Sequence, residues 1–172
     1  MHRRTTRTAR HGPPEQTKPR RRIGAVVLVQ DPAGRILLVK PTYKPGWQLP
    51  GGGARAGEAV TDAAARELAE ETGLRLRVSR FLVLDQVPAN PDTGSAEGFN
   101  VVCDGGTLTP AETEAAAIPD TARAELEDLR WVPPAQLGEY VRPYQERRIR
   151  AALEIRAGGT SLPLLLLGEP VA

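Results

Sequence analysis

The chain has 172 residues, 40% of them hydrophobic and 26% charged, which is enough apolar material for one domain with a core. Its single cysteine, Cys103, excludes an intramolecular disulfide and suits a reducing, cytoplasmic setting. The net charge of +2 is unevenly spread: residues 1–22 carry eight Lys/Arg against Glu15, while the rest carry fifteen against twenty acids. A basic nucleic-acid-binding face on the folded body is therefore not expected.

Both histidines, His2 and His11, also lie in the leader. The body has no imidazole for a Ser-His or Cys-His nucleophile, nor for a zinc site. Acid–base chemistry there must fall to carboxylates, lysine or tyrosine.

Residues 1–22 have few apolar side chains and are expected to be a disordered basic tail. Transient contact with RNA is the functional alternative. Ile23 to Gln30 is a continuous apolar, β-branched run and reads as a buried strand. Three arginines before it resemble the start of a signal peptide, but the run is short and no small-residue cleavage site follows. Asp31 to Gly34 signals a turn, and Arg35 to Lys40 completes a hairpin. Pro41 to Gly53, rich in Pro and Gly, reads as a loop containing Trp47.

Ala59 to Thr72 is rich in helix formers and ends at Gly73, a good C-terminal stop. Leu76 to Val87 and Gly98 to Cys103 read as strands, separated by a polar loop. Thr107 to Ala124 reads as a long loop with some helix. Leu129 to Val132 is a short strand, Pro134 to Leu137 a turn of helix, and Pro143 to Arg156 a helix with Ile149, Leu153 and Ile155 among its apolar positions. Strands and helices in this order predict an α+β sandwich on a mixed sheet. No segment reaches the roughly 20 apolar residues of a membrane span. The run Leu162 to Leu167, in the C-terminal extension from residue 158, is expected to pack on the body or on a partner.

In the first helix Glu67, Glu70 and Glu71 fall within an arc of about 100°. Either they face water or they converge on a cation. Unrelieved, such pairs cost a few tenths of a kcal/mol each. A divalent cation with oxygen preference would reverse that sign. Ala63 and Ala64, one turn earlier, are expected to leave room above them, and Val60, Ala64 and Leu68 to pack on the sheet. Gly51, Gly52 and Gly53 just upstream would let backbone approach a phosphate closely.

From Gly52 the chain reads glycine, five residues, Glu58, seven residues, then Arg66-Glu67-Leu68-Ala69-Glu70-Glu71-Thr72-Gly73-Leu74. This resembles, without departure, the box of the Nudix (MutT-like) family, G-x5-E-x7-R-E-U-x-E-E-x-G-U, where U is a bulky aliphatic residue. The resemblance extends from about Ile23 to Ala157. It implies an α/β/α sandwich and hydrolysis of a nucleoside diphosphate linked to another group, yielding NMP and P-X, with Mg²⁺ or Mn²⁺. It implies metal ligation by Glu67, Glu70, Glu71 and the Gly51 carbonyl, with Arg66 and Glu58 holding the loop against the helix. Gly51 to Gly53 would contact substrate.

Some family members take a base or ligand from a loop before a late strand, where Glu125 stands in this chain. Glu112, Glu114 and Glu127 are weaker candidates. Tyr43, Phe81 and Phe99 are candidates to stack on a base. Trp47 and Trp131 read as packing residues, and Cys103 as a small core hydrophobe. A (d)NTP is the favoured substrate; ADP-ribose or a nucleotide sugar is the alternative. A non-catalytic nucleotide-binding module, a Nudix isomerase and a homodimer are also compatible with the chain.

Overall fold

The computed structural model describes residues 21–92 and 94–158, together with the backbone of 164–166 and 169–170. Among the described residues eight strands form one mixed sheet: β1 (Arg22–Gln30), β2 (Ile36–Pro41), β3 (Gly51–Gly53), β4 (Phe81–Val87), β5 (Gly98–Thr107), β6 (Leu126–Val132), β7 (Leu164–Leu166) and β8 (Glu169–Pro170). Their order is β6-β2-β1-β5-β4-β7-β8, with β3 beside β1. Among the described residues the helices are α1 (Val60–Thr72), α2 (Pro110–Ala115), α3 (Leu137–Tyr140) and α4 (Pro143–Arg156).

Alternation along the strands feeds two layers of core, because successive strand side chains point to opposite faces. Ala25, Val27, Val29 and Leu37 pack with Ala63, Ala64 and Leu68 of α1. Leu28, Ile36 and Leu38 face the other way, onto Leu137, Ile149 and Ala152. The sheet is thus sandwiched between helices, the α/β/α arrangement the element order implied. Burial of Leu68, fully covered, contributes about 2 kcal/mol to holding α1 on the sheet. Gly73 ends α1 with φ of 72° and donates its N–H to the Ala69 carbonyl, as its position after the last apolar residue predicted.

The hairpin turn rests on Asp31, which is 1% exposed. Its Oδ1 accepts the N–H of Ala33 (3.0 Å) and of Arg35 (2.8 Å), and its Oδ2 accepts Arg35 Nε (2.6 Å). Beyond that turn β1 and β2 diverge, and the segment from Gln48 to Gly53 wedges between them. Val39 and Gln48 exchange both backbone hydrogen bonds, and Val27 donates to the Pro50 carbonyl at 2.9 Å. Gly53, Gly52 and Gly51 then pair antiparallel with Gly24, Ala25 and Val26.

Several expectations need correction. The Gly51–Gly53 stretch is a strand rather than loop, because β1 offers it an open edge. Ala63 and Ala64 leave no room above the glutamates: both are fully buried against the sheet. Regular pairing in the third long strand begins at Phe81, not Leu76. The strand expected from Leu129 begins at Leu126, because β2 pairs it as far as Pro41. Arg22 belongs to β1, and Arg21 pairs with Glu97 at 3.1 Å. The rest of the basic tail, residues 1–20, lies outside the described residues. So do Leu162, Pro163, Leu167 and the side chains of the whole Leu162 to Leu167 run. The backbone of its centre, β7, pairs parallel with β4. No described helix is long and apolar enough to cross a membrane.

Gly51 has φ of +136°, and a Cβ there would lie 2.2 Å from the Ala25 carbonyl oxygen, whereas a Cβ on Gly53 would meet nothing within 4 Å. Gly51→Ala should therefore destabilise the protein by more than about 2 kcal/mol. Gly53→Ala should stay within about 0.5 kcal/mol of the parent. Paired denaturant titrations check this; equal midpoints would contradict the wedge geometry.

Candidate active site

The site forms where the wedge meets α1. Arg66, on the helix face toward the glycine strand, spends its guanidinium on protein groups. Nε and Nη2 hold Glu58 Oε1 and Oε2 at 2.8 and 2.9 Å. Nη1 reaches Glu67 Oε1 at 2.7 Å and Glu70 Oε2 at 3.0 Å. Nη2 also donates to the Gly53 carbonyl at 3.2 Å. Glu58 in turn accepts the Arg55 N–H at 2.8 Å. A bidentate pair with this many charge-assisted bonds fixes the turn before α1 on the helix itself. Arg66 is accordingly a positioning residue within the predicted catalytic set.

These contacts set the charges. The Arg66 guanidinium and the Arg55 N–H hold the Glu58 carboxyl down at about 2. Arg66 is itself raised further by Glu58 and then Glu67. Glu71 is the opposite case. Burial, then the charges of Glu67 and Glu125, push its carboxyl up to about 8, although the Gly51 N–H it accepts at 2.7 Å and the nearby Lys44 act against this. Burial, more than neighbouring charge, sets Glu71 apart from the carboxylates on Arg66.

A Cβ at Gly52 would sit 2.7 Å from the Glu67 carboxylate and displace it. The strand backbone therefore runs directly over Glu67. Gly51 donates its N–H to Glu71, a contact that stands beside the carbonyl ligation the resemblance implied. Glu125 lies just before β6 and is exposed. Its backbone carbonyl accepts the Thr42 N–H at 2.9 Å, tying the β2 end to this loop. Its charge acts on both Glu71 and Tyr43.

The other acids do not join it. Glu112 caps α2, accepting from Thr109 N and Oγ1 at 2.8 Å each. Glu127 pairs with Lys40 at 2.9 Å, and Glu114 is exposed. Among the described residues no three His, Cys, Asp or Glu side chains converge closely enough, as they stand, to hold an ion. Glu67 and Glu70 are turned onto Arg66. The donor set nevertheless fits a hard divalent cation, because every side chain in it offers carboxylate oxygens, and burial, the largest cause, pushes the Glu71 carboxyl up.

Beside the glycine strand opens a cavity of about 870 Å³, within the usual range for a small-molecule site. Gly51, Gly52 and Gly53 line it, as do Tyr43 and Trp47. Trp47 packs edge-on to Tyr140 at 5.7 Å and lies 5.0 Å below the Arg130 guanidinium, so it is both wall and anchor. Phe81 and Phe99, the other stacking candidates, are not on this wall; Tyr144 of α4, which the sequence reading missed, is. Trp131 packs against the α1 side of the core, and Cys103 is fully buried with its thiol pushed up to about 11 by burial.

Sequence reasoning also missed Asp85 and Arg148, a buried ion pair joining β4 to α4. The available signal was a charge at the same strand parity as Val83. Asn100, which accepts Arg22 Nη1 at 3.3 Å, was missed as well.

Comparison with known proteins places the fold. The family model for the NUDIX domain matches residues 20–153. A Bacillus subtilis (strain 168) protein provisionally named 8-oxo-dGTP diphosphatase is 34% identical over 131 residues, 73% of this chain and 76% of that protein. The crystal structure of a MutT protein from Methanosarcina mazei Go1 superposes with a TM-score of 0.63 at 20% identity, covering 85% of this chain and all of that one. A UDP-X diphosphatase structure gives 0.64 at 18% identity, covering 88% of this chain and 70% of that one. At these identities the structures speak for the fold alone.

The chain belongs to the Nudix family. It is a pyrophosphohydrolase of the MutT-like kind, in a family whose members generally use divalent metals and bind nucleotide-like substrates.

The Glu71 carboxyl gives a signed pH dependence. Its folded value, about 8, lies above the ordinary carboxylate value. Between roughly pH 4.5 and 8 the folded state therefore binds more protons than the unfolded state, and this group's contribution to stability falls as pH rises. With chelator present, Glu71→Gln should raise the melting temperature at pH 8 relative to pH 5, compared with the parent. An identical pH profile for the two proteins would contradict the burial assigned to Glu71.

Proposed function

We propose that this chain hydrolyses the pyrophosphate of a nucleoside diphosphate-X compound to NMP and P-X, with a (d)NTP as substrate and Mg²⁺ or Mn²⁺ as cofactor. The observation that carries the reading is the Arg66-centred array. It gathers Glu67 and Glu70 on one guanidinium, with the half-buried Glu71 held by the Gly51 N–H, beside the glycine-lined wall of a nucleotide-sized cavity. The (d)NTP preference draws on the Bacillus relative's name.

Glu67, Glu70 and Glu71 would hold the cation. When bound, it neutralises pyrophosphate oxygens, stabilises charge in the transition state and lowers the pKa of a coordinated water. The remaining work belongs to the chain. Arg66 keeps Glu67 and Glu70 on one face and anchors the strand carbonyl at Gly53. The Gly51 N–H orients Glu71. Gly52 lets the backbone pass close above Glu67, so the substrate's phosphates can lie along Gly51–Gly53.

Glu125 is the base for the attacking water. Its side chain makes no hydrogen bond or ion pair among the described residues, and its charge reaches Glu71. With no histidine in the body, a carboxylate is the group suited to take that proton.

Turnover should be measured on a panel of (d)NTPs, ADP-ribose and nucleotide sugars with Mg²⁺, with product identification. The Glu70→Gln/Glu71→Gln double change should lower turnover at least about a hundredfold while the protein stays folded. Glu125→Gln should lower kcat by about a hundredfold with KM little altered. Near-parental turnover in the double variant would overturn the assignment of the glutamates.

A further inference from the structure

The cavity wall carries charge of one sign only. Arg22, Lys44, Arg142 and Arg148 line it, and among the described residues no Asp or Glu does. Two of the four are committed: Arg148 pairs with Asp85 in the core, and Arg22 donates to Asn100. Lys44 and Arg142 form no ion pair among the described residues. Lys44 has only the Tyr43 ring beneath its Nζ, at 5.4 Å.

These cations lie close together although they come from different elements. Lys44 is on the connection after β2, Arg142 immediately precedes α4, and Arg22 begins β1. Partial desolvation beside the cavity, then the charges of Arg142 and Arg22, lower the affinity of the exposed Lys44 for its proton, while Glu71 opposes this. Lys44 therefore stands at the junction between the carboxylate cluster and a cationic wall. Like charges gathered beside an enclosed volume are relieved by an anion, as the glutamates are relieved by a cation.

Charge counting distinguishes the possible substrates. The bridging pyrophosphate of a nucleotide sugar carries two negative charges, which one divalent cation balances. A nucleoside triphosphate carries about two more at neutral pH, and these need another partner. A guanidinium and an ammonium are the usual partners for phosphate oxygens.

We propose that Lys44 and Arg142, supported by Arg22, form an anion subsite that selects substrates whose X group is itself phosphorylated over those with a neutral X. This rests on the pyrophosphohydrolase reading and extends it to the choice of X. Both side chains are exposed at the cavity mouth, so replacing them spares the core.

The test compares the parent, Lys44→Gln, Arg142→Gln and the double change. The ratio of kcat/KM for a dNTP to that for ADP-ribose is read, together with calorimetric binding of inorganic tripolyphosphate without added metal. The double change should lower the ratio at least tenfold, mostly through the dNTP KM, and weaken tripolyphosphate binding at least tenfold. An unchanged ratio with parental tripolyphosphate binding would overturn the subsite, making these side chains ordinary solvated charges. Equal losses on both substrates would also overturn it, by assigning the cations to the shared pyrophosphate. If the parent cleaves neither substrate, the hydrolase reading fails, and the tripolyphosphate arm alone decides the subsite.

Discussion

One guanidinium organises this site. Arg66 meets three carboxylates and a backbone carbonyl at once, which joins the turn before α1, the helix and the glycine strand. Without it, Glu58, Glu67 and Glu70 would repel one another on adjacent elements. A single positive charge cannot balance them all, and Glu71 is left out, turned inward to the Gly51 N–H and held protonated by burial. Three carboxylates share that one guanidinium, so the array carries more negative than positive charge. That imbalance is the physical content of the cation-site reading, and it would be absent had the glutamates simply faced water.

The second constraint is steric and belongs to the sheet. β1 and β2 share a turn and then part, and the gap admits only a segment that can press backbone against backbone. At Gly51 a side chain would enter the Ala25 carbonyl, and at Gly52 it would enter the Glu67 carboxylate. The same two residues therefore close the sheet and bring main chain to the acidic cluster. Folding and site geometry are coupled here, since whatever loosens the wedge also moves the strand that lies over the glutamates.

The helices and most strands were legible because their signals are local. The apolar run to Gln30, the turn at Asp31 to Gly34 and the stop at Gly73 each depend on a few neighbouring residues. The acidic cluster was legible because helical spacing alone puts Glu67, Glu70 and Glu71 on one face. Other features depend on contacts distant in sequence. Nothing local marks Gly51–Gly53 as a strand, because its pairing is set by the open edge of β1. Ala63 and Ala64 were read as space above the carboxylates, yet the sheet's position turns them into core. The Asp85–Arg148 pair and the gathering of Lys44, Arg142 and Arg22 exist only once β4, α4 and the β2–β3 connection are assembled.

The central claim is that the carboxylates left crowded by Arg66 bind a divalent cation. Mn²⁺ titration followed by electron paramagnetic resonance reads this directly, without substrate or turnover. The account predicts saturable binding to the parent protein, weakened at least tenfold in a Glu67→Gln/Glu71→Gln variant that retains its fold. Equal Mn²⁺ affinity in the two proteins would contradict it.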